Sequence, residues 1–92
     1  MKYQVTLQPA AERDFDRLPR HVQEVIAKRL LDLEDDPRPG GVGWLRGPLR
    51  GLLRIREGDW RIVYGVSDPA RTVTVWEIGD RRRVYGDAGR RR

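Results

Sequence analysis

The residues best placed to do chemistry are arginines on a hairpin. From Leu52 to Val66 two alternating runs flank Gly58-Asp59, a two-residue turn signal. With those two residues as the loop, Glu57 pairs with Trp60, Arg56 with Arg61, Ile55 with Ile62, Arg54 with Val63 and Leu53 with Tyr64. Strand parity then puts Leu53, Ile55, Ile62 and Tyr64 on one face and Arg54, Arg56 and Arg61 on the other. Like charges directly opposite destabilise a sheet, so Arg56 facing Arg61, with Arg54 beside them, needs a compensating charge. A guanidinium fork matches phosphate oxygens two at a time, and such a cluster on a solvent-facing sheet suits a phosphate chain. Glu57, Asp59, Glu77 or the charged loop could instead neutralise the three, and arginine stems pack well on flat sheets. The anionic ligand is the preferred reading.

Tyr85 follows Arg81-Arg82-Arg83. A phenol titrates near pH ~10, and neighbouring cations favour its phenolate, so a tyrosine held against arginines can exchange protons without histidine. Spacing alone favours the plainer role, a ring closing the end of the sheet. The single histidine, His21, opens a predicted helix and reads as a surface residue. Asp35-Asp36 reads as a helix terminus, with no third ligand at coordinating spacing. No metal and no cofactor are expected. Arg90-Arg91-Arg92 would add only nonspecific attraction.

The elements that must position these residues belong to a small chain. Its 92 residues (10.7 kDa) make a single expected domain, 1–92, with one lean core. Hydrophobic residues are 38% and charged residues 36%, and three Trp, three Tyr and one Phe supply the anchors that disordered chains lack. The absence of cysteine excludes disulfides, thiolate metal sites and a cysteine nucleophile. No apolar run resembles a signal peptide or a spanning helix, so the expectation is a cytoplasmic protein with no membrane association. Residues 1–45 carry seven basic and eight acidic side chains, whereas residues 46–92 carry twelve arginines against six acids. All the excess positive charge is therefore C-terminal arginine, which points to nucleic acid or an acidic protein partner.

Tyr3, Val5 and Leu7 alternate with polar residues in a first half-buried strand. Pro9 sits where a helix can begin, and Ala11, Phe15 and Leu18 follow at helical spacing up to Pro19. A second helix is predicted from Arg20 to Asp36, with Val22, Val25, Ile26, Leu30 and Leu33 as its stripe and Glu24 paired with Lys28 outside. Asp36-Pro37 ends it. Five Gly and three Pro between Pro37 and Gly51 mark a long loop, leaning toward a functional segment, with Trp44 and Leu45 expected to tack it to the core. Thr72 to Ile78 is a last strand of ambiguous register: Val73 and Val75 compete with Trp76 and Ile78 for the core face. The order predicts an α+β fold: an N-terminal strand, two helices, then a three-stranded antiparallel meander. The helices pack on one face of a small sheet and the other face stays open.

The run Gly51-Leu52-Leu53-Arg54-Ile55-Arg56-Glu57-Gly58-Asp59-Trp60-Arg61-Ile62-Val63-Tyr64 resembles the core signature of the RelE/ParE toxin superfamily. Ile78-Gly79-Asp80-Arg81-Arg82-Arg83-Val84-Tyr85 resembles its closing motif. Pro9 to Pro19 and Leu45-Arg46-Gly47 resemble its first helix and pre-strand loop, so the likeness covers nearly the whole chain in order. It implies the toxin of a type II toxin–antitoxin pair. RelE-like members cut messenger RNA in the ribosomal A site: the ribose 2′-OH attacks the adjacent phosphate without metal and leaves a cyclic phosphate. Carried over by position, their site residues fall on Arg54 and Arg56, Arg61, Arg81 or Arg83, and Tyr85. Arg61 and Arg81 would bind the scissile phosphate and the charge that builds on it. Arg54, Arg56 and Arg83 would hold neighbouring phosphates, Tyr85 would transfer the proton, and Trp60 would stack on a base or else pack in the core or at the hairpin rim. Where RelE-like enzymes often carry lysine, this chain has Leu52 and Arg54. Its only lysines are Lys2 and Lys28. Arginine does not readily release a proton, so proton transfer falls to Tyr85 or to the ribosome.

The resemblance also allows a ParE-like, non-enzymatic inhibitor of DNA gyrase, or a weak toxin acting with its antitoxin as a co-repressor. In each case the implied partner is a cognate antitoxin, acidic and partly disordered, that folds over the basic face. Ribosome and mRNA are implied for the nuclease. Operator DNA is implied only for the toxin–antitoxin complex.

Overall fold

The computed structural model describes residues 2–82 of the chain. Strand β1 (Gln4–Leu7) leads into helices α1 (Pro9–Asp16) and α2 (Arg20–Asp35). Then come a short strand β2 (Gly43–Trp44), a 3-10 turn (Gly47–Leu49) and strands β3 (Leu53–Glu57), β4 (Trp60–Ser67) and β5 (Thr72–Asp80). One sheet of order β1-β5-β4-β3-β2 holds all five strands, antiparallel except for β1 beside β5. The α+β class and the meander are as the sequence predicts. The fifth strand, β2, is only two residues long, too short to leave an alternation in the sequence. No helix among the described residues is long and apolar enough to cross a membrane.

Both helices lie on one face of the sheet. Ala11, Leu18, Val22, Ile26, Leu30 and Leu33 meet Leu53, Ile55, Ile62, Tyr64, Val73, Val75 and Ile78 in the main core. Pro9 starts α1, and Asp36 turns extended (φ −142°, ψ 95°) ahead of Pro37 and stops α2. The first helix ends at Asp16, before the expected Leu18, yet the Leu18 N–H still bonds Phe15 O at 3.1 Å and its side chain is buried. Two helix-surface expectations are corrected. Val25 is 44% exposed, because the buried stripe on so small a sheet is as narrow as Val22, Ile26, Leu30 and Leu33. Glu24 and Lys28 form no ion pair; both are solvated and gain little from meeting.

The ambiguous register of the last strand has a structural cause. Tyr64 pairs with Val75 and Val63 with Glu77, so Trp76 is the extra residue of a bulge. Before it Val73 and Val75 face the helices; after it Ile78 does. Val73 and Val75 of one competing set and Ile78 of the other thus share the core face, while Trp76, expected beside Ile78, packs against a second cluster on the opposite face. Past Leu7, where β1 ends, the outer edge of β5 is met by α1 instead: Asp14 Oδ2 accepts the Ile78 N–H at 3.1 Å.

The second face is not wholly open. Leu49 of the 3-10 turn folds onto Leu52 and Val63, with Leu45 and Trp76 partly buried around them. Leu45 thus does tack the loop down, but against this second cluster. Trp44 does not: it is 61% exposed, at the edge of the sheet. The loop is held at its start by the Tyr64 hydroxyl, which donates to Pro37 O at 2.8 Å, and by Arg38, which forks onto Asp68 at 3.2 and 3.1 Å. Tyr3 also donates to Asp68, at 2.5 Å, and Arg71 stands over its ring.

Candidate phosphate-binding face

The observed hairpin register is the one its turn dictates: Arg56 opposite Arg61, Arg54 opposite Val63 and Leu53 opposite Tyr64. Gly58 has φ +59°, the left-handed geometry of a two-residue turn. On the face away from the helices, one cross-strand row reads Arg56, Arg61, Gly79. The next reads Gly43, Arg54, Val63, Glu77. Glycine at 79 leaves Arg61 without a side-chain neighbour on β5 in its own row.

Each arginine is held differently. Arg61 Nη1 donates to the carbonyls of Gly58 (2.7 Å) and Trp60 (2.8 Å), so the turn itself aims the guanidinium. Its remaining N–H groups have no partner among the described residues. Arg81 reaches the same turn from β5: its backbone N–H bonds Asp59 O at 2.9 Å and its Nε lies 3.8 Å from Asp59 Oδ1. Arg54 and Arg56 make no side-chain hydrogen bond or ion pair among the described residues, and Arg54 Nε is buried. Arg82 turns back onto Asp80, whose carboxyl is held below the usual range chiefly by the Arg82 backbone N–H and then by its side chain.

The possible neutralisers are accounted for. Glu57 faces the helices and pairs with Arg29 at 3.3 Å. Asp59 serves Arg81. Glu77 is buried, 3% exposed, on the arginine face, but Val63 stands between it and Arg54, and no ion pair joins it to Arg54, Arg56 or Arg61 among the described residues. The hairpin face therefore keeps net positive charge with several unpartnered donors. That arrangement can grip consecutive phosphates and offset charge that grows on one of them.

Trp60 falls on the other side. Its row mates are Glu57 and Asp80, and its half-buried ring packs against the main core. Arg83 and Tyr85 lie outside the described residues. His21 is exposed, and no group of His, Asp and Glu among the described residues could hold a metal ion. The sequence reading had no signal for the Gly58 carbonyl as a partner of Arg61, since a backbone acceptor has no residue type to betray it. It also passed over Gly43, hidden in a glycine-rich loop.

Residues 5–85 match the sequence model of the ParE toxin of the type II toxin–antitoxin system parDE. Toxin RelE of Mycobacterium tuberculosis is 32% identical over 84 residues, covering 90% of this chain and 86% of that protein. The mRNA interferase toxin RelE of Escherichia coli strain K12 is 29% identical over 98 residues, covering 99% and 98%. Among solved structures, the RelBE2 toxin–antitoxin complex of M. tuberculosis superposes with TM-score 0.79 at 26% identity, covering 87% of this chain and 99% of that one. A doubly arginine-substituted E. coli RelE in the free state gives TM-score 0.80 at 27% identity, covering 99% and 98%. The arginine-bearing hairpin, the sheet order and these likenesses agree: the chain belongs to the RelE/ParE superfamily of type II toxin–antitoxin toxins.

Proposed function

We propose that this toxin is a ribosome-dependent mRNA endonuclease. The observation that carries the reading is the hairpin face, where Arg54, Arg56 and Arg61 keep their charge while Arg81 is tied to the turn beside them. The E. coli relative named an mRNA interferase supports it. In the reaction the 2′-oxygen of a ribose loses its proton and attacks the adjacent phosphorus. The bond to the 5′-oxygen of the next nucleotide breaks, and that oxygen takes up a proton. Products are a 2′,3′-cyclic phosphate and a free 5′-hydroxyl. Arg61, aimed by the turn, and Arg81 stabilise the phosphorane charge; Arg54, Arg56 and Arg83 hold flanking phosphates. Tyr85 carries the proton, since arginine stays protonated throughout.

The partner expected in the cell is a cognate antitoxin, acidic where it crosses the arginines; RelB–RelE complexes among the similar structures support one. One finding favours a second reading. The matching sequence model is that of ParE, and strand β3 carries arginine where RelE-like enzymes often carry lysine, which leaves room for a non-enzymatic gyrase inhibitor. Inducible expression in bacteria with transcript 5′ ends mapped separates the two. The endonuclease gives new ends inside translated codons, reduced about 10²–10³-fold by Arg61→Ala, with the fold of the variant checked by circular dichroism. Growth arrest without new ends, together with blocked supercoiling by purified protein, would overturn the nuclease.

A further inference from the structure

We infer that Gly43 is a positioning residue for Arg54: the strand-edge glycine supplies the space in which the guanidinium lies. The inference rests on the reading of the hairpin face as a phosphate site. Among the described residues four glycines have positive φ, namely Gly41, Gly47, Gly51 and Gly58; Gly43 is not one of them. Backbone geometry therefore does not demand glycine at 43. Space does. A Cβ at Gly43 would collide with Arg54 Nη2 and stand 2.9 Å from Cζ and 3.3 Å from Nε. All three atoms belong to the planar fork, so it is the fork of Arg54 that must move if residue 43 carries a side chain.

The pairing is fixed from both sides. Gly43 is the cross-strand partner of Arg54, and the next pair, Trp44 with Leu53, holds β2 in register. The Leu45 N–H bonds Leu52 O at 3.0 Å, and the loop before β2 is braced through Pro37 and Arg38. Across that bare backbone Arg54 runs sideways toward the edge of the sheet, with Nε buried and no hydrogen-bond partner among the described residues. Lying along its own row, the Arg54 guanidinium stays out of the Arg56–Arg61 row. The face then offers two separate cationic stations, one at the hairpin turn and one at the β2 edge. A methyl group at 43 lifts the fork off the strand and removes the second station without touching an arginine.

The test compares purified wild type, Gly43→Ala, Arg54→Ala, Arg54→Lys and the two double variants. The first readout is nuclear magnetic resonance of the Arg54 Nε–H group. Gly43→Ala shifts this resonance and speeds its exchange with water; an unchanged resonance and exchange rate overturn the inference, whatever RNA does. The second readout is salt-dependent binding of a short single-stranded oligoribonucleotide. Gly43→Ala lowers the slope of log K against log salt by about 0.7, the loss of one phosphate contact, and matches Arg54→Ala. Adding Gly43→Ala to Arg54→Ala changes nothing further, while Arg54→Lys, which lacks the planar fork, makes Gly43→Ala harmless. An equal additional loss in the Arg54→Ala background means that Gly43 serves β2 itself, and the inference fails. Full RNA binding by Arg54→Ala would instead sink the phosphate reading of Arg54, a failure visible without any Gly43 variant.

Discussion

Replacing Arg56 by glutamate tests whether the arginine face is kept at a cost in stability. Arg56 stands directly opposite Arg61, and Arg61 cannot swing clear, because its Nη1 is held by the Gly58 and Trp60 carbonyls at 2.7 and 2.8 Å. A like-charged cross-strand pair destabilises, and an opposite-charged pair stabilises, by about 0.2–1 kcal/mol. Arg56→Glu exchanges the first for the second. Arg56 is exposed, so solvent screening places the net gain low in that combined range, about 0.5–1 kcal/mol. For a domain of this size 1 kcal/mol corresponds to roughly 4–8 °C in Tm.

The assay is thermal unfolding followed by circular dichroism, with Arg56→Gln as the control that removes charge without adding a partner. The expected order of Tm is glutamate above glutamine above wild type. The spread should shrink in 1 M salt, where the Debye length falls to about 3 Å. Affinity for oligoribonucleotide should run in the opposite order. A Tm that stays level or falls in both variants, with RNA binding intact, would refute the reasoning: the apposition would then carry neither a cost nor a ligand.

Two further predictions concern the frame behind the face. Tyr64→Phe removes the buried bond to Pro37 O, costing about 1–3 kcal/mol for the carbonyl left unpaired. Burial, and then the Asp36 carboxylate, push the Tyr64 phenol up to about 12; a group raised on folding stabilises fully below its unfolded value near 10 and loses that contribution up to about 12. Urea melts across that window should show a wild-type decline that the Phe variant lacks in part. The Asp68 carboxyl is held below its ordinary range by Arg38 first and by Tyr3 second, so its contribution is present above the unfolded value and fades as pH falls through the folded one. Asp68→Asn should flatten the acid limb of stability and, by freeing the Arg38 loop, speed amide exchange at Val42 and Gly43.

The hairpin was legible because each of its parts speaks locally. Gly58-Asp59 names the turn, the turn fixes the register, and register with parity sends Arg54, Arg56 and Arg61 to one face. The helices were legible from Pro9, Pro19 and Pro37 and from spacing. What escaped the sequence was decided at a distance. Val25 fits the helical stripe yet faces solvent, since the width of the sheet beneath α2 is no property of α2. Strand β2 exists only because β3 offers it an edge. Trp44 and Trp60 carry the same side chain, but register puts one at an exposed edge and packs the other, half-buried, against the core. The bulge at Trp76 left a trace, an alternation that fits neither face throughout. Ambiguity of that kind is a signal of a change of phase within one strand rather than a failure to find one.

The chemistry divides along the same line. Charge is supplied by residues whose positions follow from strand pairing, and three arginines of the face are placed largely by backbone: Arg61 by turn carbonyls, Arg81 by Asp59 O together with the Asp59 carboxylate, Arg54 by the space at Gly43. A guanidinium offers hydrogen-bond donors and no acceptor, so it binds an anion without serving as a proton carrier. The face by itself therefore makes a phosphate binder, and an enzyme requires a further group that titrates. An endonuclease and a non-enzymatic toxin can then share every described feature of this fold and differ in one proton carrier, which is why transcript ends, and not RNA affinity, decide between them.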